Sequence, residues 1–141
     1  MYKKILVALE NGRADQSLLP HVTQLAKLAG SHLLLVHVAD GWAARTFDQL
    51  KLAESEEMRA DQKYLNDTAE ALRREGLEVS VHLALGDPPR EIVKCAAAAH
   101  CDLIAMTTHG HRFIGDLLFG STINEVRHAT DIPVLIVRAM K

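Results

Sequence analysis

The sequence is poor in cysteine, in basic excess and in long apolar runs, and each shortage excludes a class of protein. Cys95 and Cys101 are the only cysteines, too few and too close in sequence for the disulfide framework of a small secreted domain. We expect both to be buried hydrophobic side chains. The formal net charge is -2, so nothing basic points to nucleic acid. Since no apolar run approaches the length that spans a bilayer, we expect no membrane insertion.

The amino-terminal residues also lack the charged head, apolar stretch and cleavage site of a secretory signal, so we expect a cytoplasmic protein. With 141 residues, the chain fits one domain covering residues 1–141, which is long enough to bury a single core. Apolar residues make up 48% and charged residues 24%, the ordinary balance of a soluble domain.

Several catalytic signatures are missing as well. The sequence has no Gly-x-Ser-x-Gly elbow and no evident pair of nucleophile and base, so we expect no catalytic residue. Gly110 and Gly115 have the spacing of the two P-loop glycines, but Asp116 replaces the lysine that must meet the phosphates. The glycine-rich dinucleotide fingerprint is absent after the first predicted strand, where only Gly12 occurs. A P-loop ATPase and an NAD enzyme are therefore disfavoured.

What the chain does contain is a regular alternation of strand and helix patterns. Strands are predicted over residues 3–9, 33–38, 77–85, 103–106 and 133–138. Near-continuous apolar runs such as residues 5–9 are typical of strands buried on both faces of a parallel sheet. In contrast, the alternation over residues 77–85 indicates an edge or half-buried strand.

Apolar residues at helical spacing and end signals predict helices over residues 17–29, 47–75, 88–100 and 121–131. Gly30 and Gly76 are read as helix stops. Asp87 is expected to cap the third helix with its side chain, and Pro88 loses no hydrogen bond at the first helical position. The capping-box spacing of residues 122–125 marks the start of the last helix near Ser121.

Strands joined by helical crossovers indicate an α/β fold: an open doubly wound, Rossmann-like parallel sheet with helices on both faces. The reason is that parallel neighbours need long, right-handed connections. In such sheets ligands lie beyond the carboxyl ends of the strands, where the strand order reverses. Periodicity alone does not give that order.

One segment points to a phosphate. The predicted strand over residues 103–106 opens into a loop ending at Gly110, and after nine intervening residues come Gly120, Ser121 and Thr122. Glycine lets the backbone approach a ligand closely, and free amides at a helix start attract anions. This pattern predicts nucleotide binding.

The sequence of residues 102–110, the Gly120–Ser121 pair and residues 132–137 resemble the universal stress protein family. Residues 1–8 and 86–93 fit the same family, so the resemblance covers essentially the whole chain. It implies the strand order 3-2-1-4-5, with the reversal between the first and fourth strands. It also implies a regulatory protein of the stress response with ATP or AMP as ligand and magnesium accompanying ATP. Because the sequence offers no evident nucleophile and base, we expect at most slow, incidental ATP hydrolysis.

The resemblance implies that Ala8, Glu10 and the backbone near Val38 hold the adenosine, while the glycines and hydroxyls after the fourth strand contact the phosphates. The candidate binding residues are Ala8, Leu9, Glu10, Val38, Met106, Thr107, Gly110, Arg112, Gly120, Ser121 and Thr122. No metal site is expected, because His109 and His111 have no third ligand at a suitable spacing. His37, inside an apolar strand, is expected to be a hydrogen-bonded core or crevice residue.

The chain departs from the family motif at two positions. Thr107 stands where the motif has its first glycine, so that its side chain crowds the ligand or its hydroxyl donates to it. Glu10 replaces the family's common aspartate, either as an acceptor for a ribose hydroxyl or adenine amine or as a surface carboxylate. Arg112 is either a charge-assisted phosphate contact or a solvated cation, and Gly120 is either a ligand contact or a plain turn.

The last predicted strand, from Pro133 to Arg138, is largely apolar yet lies at a sheet edge in the implied order. The resemblance implies a homodimer joined through this strand, and residues 139–141 are too few to cover it. Two alternatives stay open. One is a dimeric interaction module that does not bind nucleotide, and the other is a hydrolase or nucleotidyl-transferring enzyme of the same fold class.

Overall fold

The computed structural model describes residues 1–39, 48–108 and 114–140, with the backbone alone at residues 48–55 and 114–121. In chain order the elements are β1 (Lys4–Ala8), α1 (Asp15–Ala29), β2 (His32–Ala39), α2 (Asp48–Arg74), β3 (Glu78–Leu85), α3 (Pro88–Ala98), β4 (Leu103–Thr108), α4 (Ile114–Ala129) and β5 (Val134–Arg138). The strands form one parallel sheet in the order β3-β2-β1-β4-β5. The predicted doubly wound fold and its implied strand order are both confirmed.

The sheet is buried on both faces, which explains the apolar runs in its central strands. One core cluster joins α1 and α2 to the sheet and includes Ile5, Leu18 and Leu65. The other lies under α3 and α4 and includes Leu6, Ile92 and Val126. Because neighbouring residues of β1 point to opposite faces, each central strand contributes to both clusters.

The predicted helix ends agree with the structure in part. Gly30 caps α1 in the left-handed conformation, with φ of 69°, as the stop signal predicted. Asp87 occupies the amino-terminal cap position of α3, but its side chain makes no capping hydrogen bond, so that prediction was wrong. A cap side chain bonds the second or third amide of a helix, and Pro89 has no second amide to offer, which leaves the Arg90 amide as the one remaining donor of the two.

The largest corrections concern β4 and α4. The strand continues to Thr108, because Thr107 and Thr108 pair with Val137 and Arg138 of β5 and β-branched residues suit a strand. The last helix begins at Ile114 and not near Ser121. Gly120 costs about 1 kcal/mol in a helix interior, and the buried side chains of Ile123 and Val126 anchor the following turns of α4 to the core.

The two cysteines are free thiols. Cys101 is buried, as expected, whereas Cys95 is only partly buried. Burial raises the pKa of both thiols, so neither is an activated nucleophile. In the described part of the chain, no helix combines the length and the apolar character needed to cross a membrane.

Candidate functional site

A crevice opens at the carboxyl ends of β1, β2 and β4, with a volume of about 280 Å³. Its lining residues are Ala8, Leu9, Glu10, Val36, His37, Val38, Pro88, Ile92, Met106, Thr107 and Thr122. The connections from β1 lead to β2 and β3 on one side, while β4 and β5 lie on the other. The crevice therefore lies at the reversal of strand order, where open α/β sheets bind ligands.

Most of the predicted site residues meet in this crevice, namely Ala8, Leu9, Glu10, Val38, Met106, Thr107 and Thr122. Gly110 and Arg112 fall outside the described residues. The sequence did not indicate Val36, Pro88 or Ile92. Pro88 and Ile92 could have been predicted, because residues four apart on a helix share a face and α3 starts directly after β3.

Gly120 and Ser121 lie inside α4, away from its amino terminus. In a helix interior, each amide pairs with the carbonyl four residues earlier, and only the first four amides lack such a partner. For α4 those amides belong to residues 114–117. The predicted contacts of Gly120 and Ser121 with a phosphate thus remain a prediction.

Glu10 and Thr107 are hydrogen-bonded to each other across the crevice floor. The Thr107 hydroxyl Oγ1 donates to Glu10 Oε2 over 3.0 Å. Thr107 is only 1% exposed, whereas Glu10 is partly buried. The two departures from the family motif are therefore one structural unit, in which the hydroxyl is directed at Glu10.

The loop after β1 is held by one buried carboxylate. Asp15 is 1% exposed and accepts hydrogen bonds from the amides of Glu10 (2.9 Å), Asn11 (2.9 Å) and Gly12 (3.4 Å). The Tyr64 hydroxyl of α2 donates to the same carboxylate over 2.6 Å. Burial, followed by the hydrogen bond to Asp15, raises the pKa of Tyr64 well above its usual value, so the phenol keeps its proton. Consecutive amides converge on one anion, which fixes the backbone beneath Glu10.

His37 connects the crevice to α2. Its Nδ1 lies 2.8 Å from the Leu9 carbonyl oxygen, which can only accept, so Nδ1 carries the donated hydrogen. Its Nε2 lies 3.3 Å from Asp61 Oδ2. Asp61 also accepts a 2.9 Å hydrogen bond from the Asn11 side chain. The prediction of a hydrogen-bonded crevice histidine is confirmed, and its partners come from the β1 loop and α2.

The chemistry of the lining suits a nucleoside. The walls are mostly apolar, and the polar groups are Glu10, His37, Thr107 and Thr122. Among the described lining residues, none is lysine or arginine. An apolar slot can hold a flat ring, and a carboxylate can accept hydrogen bonds from hydroxyl or amine groups. Over the residues whose side chains are described, no group of three His, Cys, Asp or Glu could hold a metal ion, and His109 and His111 lie outside them.

Comparison with known proteins places this geometry in a family. Residues 1–138 match the model of the universal stress protein family. The universal stress protein MJ0577 of Methanocaldococcus jannaschii is 27% identical over 155 aligned positions, which cover 98% of this chain and 96% of that protein. The solved structure of MJ0577 superposes with a TM-score of 0.85 at 26% identity, covering 100% of this chain and 99% of that one.

Two further solved structures share the fold. A universal stress protein in complex with cAMP has a TM-score of 0.72 and 17% identity, with 97% of each chain covered. The universal stress protein from Archaeoglobus fulgidus in complex with dAMP has a TM-score of 0.67 and 24% identity, with 96% of this chain and 98% of that chain covered. The family model matches residues 1–138 and the solved structures share the fold over almost the entire sequence, so the chain belongs to the universal stress protein family.

Proposed function

We propose that this chain is a cytoplasmic, adenine-nucleotide-binding regulatory protein of the stress response that acts as a homodimer. The observation that carries the proposal is the crevice at the reversal of strand order, in which apolar walls surround the Glu10 carboxylate. The ligand is ATP or AMP, and magnesium accompanies ATP.

The size of the crevice favours the nucleoside part of such a ligand. Its volume of about 280 Å³ lies at the lower limit of ordinary ligand sites, which suits a base and ribose better than a complete triphosphate. Phosphates would extend toward the amino terminus of α4, because the first amides of a helix favour anions. The cAMP and dAMP complexes of fold neighbours support the choice of adenine.

Calorimetric titration of the nucleotide-stripped protein with ATP and magnesium, and then with AMP, tests the proposal. We expect saturable binding of roughly one nucleotide per chain, with a dissociation constant at or below the millimolar level, about -4 kcal/mol or more favourable. The titration is repeated at a second temperature, since a binding enthalpy can vanish at one. Absence of heat at both temperatures up to several millimolar would contradict nucleotide binding and favour the interaction module.

The homodimer is proposed to form through β5, at the edge of the sheet next to β4. Within the described strands, nothing pairs the outer side of β5, and the Ile136 side chain of this strand is 37% exposed. The residues after β5 do not run along that edge. Instead, the Ala139 amide donates to the Thr108 carbonyl and the Met140 amide donates to the Ser17 hydroxyl of α1. A second copy could therefore pair with the edge.

Ile136→Lys is expected to convert the dimer to a monomer, because a charge would be placed in the apolar contact between two copies. Sedimentation velocity over a range of concentrations measures the change. Leu85→Lys is the matched control, since Leu85 is 48% exposed and belongs to β3 at the opposite edge. A wild-type monomer, or equal dissociation by both variants, would count against a β5 interface.

We further propose that the protein regulates by binding and has no fast turnover. The reason lies in the sequence, which offers no evident pair of nucleophile and base for hydrolysis. Any hydrolysis of bound ATP is expected to be slow and incidental.

A further inference from the structure

The hydrogen bond between Thr107 and Glu10 connects β4 to the loop after β1, at the reversal of strand order. Glu10 follows β1, and Thr107 lies in β4, which pairs directly with β1. The donor oxygen Oγ1 of Thr107 lies 3.0 Å from Glu10 Oε2. Both residues line the crevice, so the bond belongs to its floor.

The side chains of Thr107 and Glu10 differ in conformational freedom. Thr107 is 1% exposed, is fixed by its pairing with Val137 of β5, and has a β-branched side chain that is stiff at χ1. Glu10 is partly buried and has a longer, more flexible side chain. The Glu10 backbone is also fixed, because its amide donates to Asp15. The Thr107 hydroxyl is therefore a rigidly placed donor that contributes to holding the Glu10 carboxylate.

We propose that Thr107 is a positioning residue for ligand binding, which holds the Glu10 carboxylate as an acceptor for a neutral hydrogen-bond donor of the nucleoside. The donor is a ribose hydroxyl or the adenine amine, and both offer the same chemistry to a carboxylate. A fixed carboxylate also repels phosphate, so the nucleoside end of the ligand lies against β1 and β4. This inference rests on the proposed nucleotide binding and adds a specificity determinant to it.

Holding the Glu10 side chain in place before the ligand binds should raise the affinity for the ligand. A side chain held in its binding conformation before the ligand arrives loses less freedom on binding. Thr107→Val keeps the branched shape but removes the donor, whereas Thr107→Ser keeps the donor. We expect Thr107→Val to weaken ATP binding by about tenfold. Thr107→Ser should stay within about twofold of the wild type.

Four probes separate positioning from a general structural effect: ATP, dideoxy-ATP without ribose hydroxyls, inosine triphosphate without the amine, and inorganic tripolyphosphate. If a ribose hydroxyl is the donor, dideoxy-ATP binds the wild type more weakly than ATP does, and Thr107→Val weakens it no further. If the adenine amine is the donor, inosine triphosphate binds the wild type more weakly than ATP does, and Thr107→Val weakens its binding no further. Either pattern supports the inference, as long as tripolyphosphate binding does not change between wild type and variant.

Thr108→Val is the control, because Thr108 is the next residue of β4 and does not line the crevice. Equal ATP affinity of Thr107→Val and wild type would overturn the inference while leaving nucleotide binding intact. Loss of affinity for all four probes to the same extent, or the same loss in Thr108→Val, would reduce Thr107 to a structural role. A wild type that binds no nucleotide at all would overturn both this inference and the proposed function.

Discussion

Asp15→Ala is expected to lower the free energy of unfolding by about 4 kcal/mol, the largest stability effect among the polar groups around the crevice. Asp15 is 1% exposed and accepts hydrogen bonds from three consecutive amides and the Tyr64 hydroxyl. Removing the carboxylate takes the protein acceptor away from four part-buried donors, and a loss of about 1 kcal/mol for each hydrogen bond gives the expected total. Urea denaturation of wild type and variant gives the difference, provided that the slope with urea is unchanged.

Milder variants test whether the effect comes from the carboxylate. Asp15→Asn keeps the shape but offers one accepting oxygen and directs an NH₂ group at amide donors, so we expect a loss of about 2 kcal/mol. Tyr64→Phe removes one donor and should cost about 1 kcal/mol.

Asp67→Ala is the matched control for Asp15→Ala, because Asp67 pairs with Lys63 on the exposed side of α2. An exposed pair one helical turn apart contributes only about 0.3–0.5 kcal/mol. Were Asp15→Ala to cost no more than Asp67→Ala, the buried carboxylate would not hold the loop after β1.

The hydrogen bonds of Asp15 and Asp61 could not be predicted from the sequence. The hydrogen bonds join residues far apart in the chain: Tyr64 lies 49 positions from Asp15, and Asp61 lies 50 from Asn11. No local pattern signals such partners, because the pairing depends on where α2 crosses the sheet. In the sequence, Asp61 resembles the other acids of a charged helix, yet it is only 7% exposed.

The fold was far more predictable than the network, for a physical reason. A parallel sheet covered on both faces requires apolar strands and helical crossovers, and both leave periodic patterns. The order of the strands leaves no such pattern, so it came only from the resemblance. The end of β4 was missed because the nearby Gly110 favours a loop from residue 107 onward, whereas threonine suits a strand and pairing with β5 extends β4 to Thr108.

The site residues that follow strands could be predicted from the sequence, whereas those on helices were harder to predict. Parallel strands bring their carboxyl ends to one edge, so the residues that follow β1 and β4 could be placed together from the sequence. Residues contributed by helices were harder to predict. Pro88 and Ile92 reach the crevice through the packing of α3, and the start of α4 differs from the capping signal at Thr122.

Ala8→Phe is expected to weaken nucleotide binding by at least about 100-fold, or about 2.7 kcal/mol. Ala8 ends β1 and packs on the same core cluster as Val38 and Met106, all three of which line the crevice. A phenyl ring there would occupy space that the proposal assigns to the nucleoside. Because the ring enters an open crevice and not the packed core, we expect the thermal midpoint to stay within about 4 °C of the wild type.

Ala97→Phe provides the same change at an exposed position of α3 and should leave the affinity unchanged. If Ala8→Phe does not fold, Ala8→Met fills less of the crevice and should still weaken binding by about tenfold. A folded Ala8→Phe variant that binds ATP like the wild type would show that the nucleotide does not bind in this crevice. An unchanged dimer in the same variant would show that the nucleotide site and the β5 interface are independent, because β5 contributes none of the described lining residues.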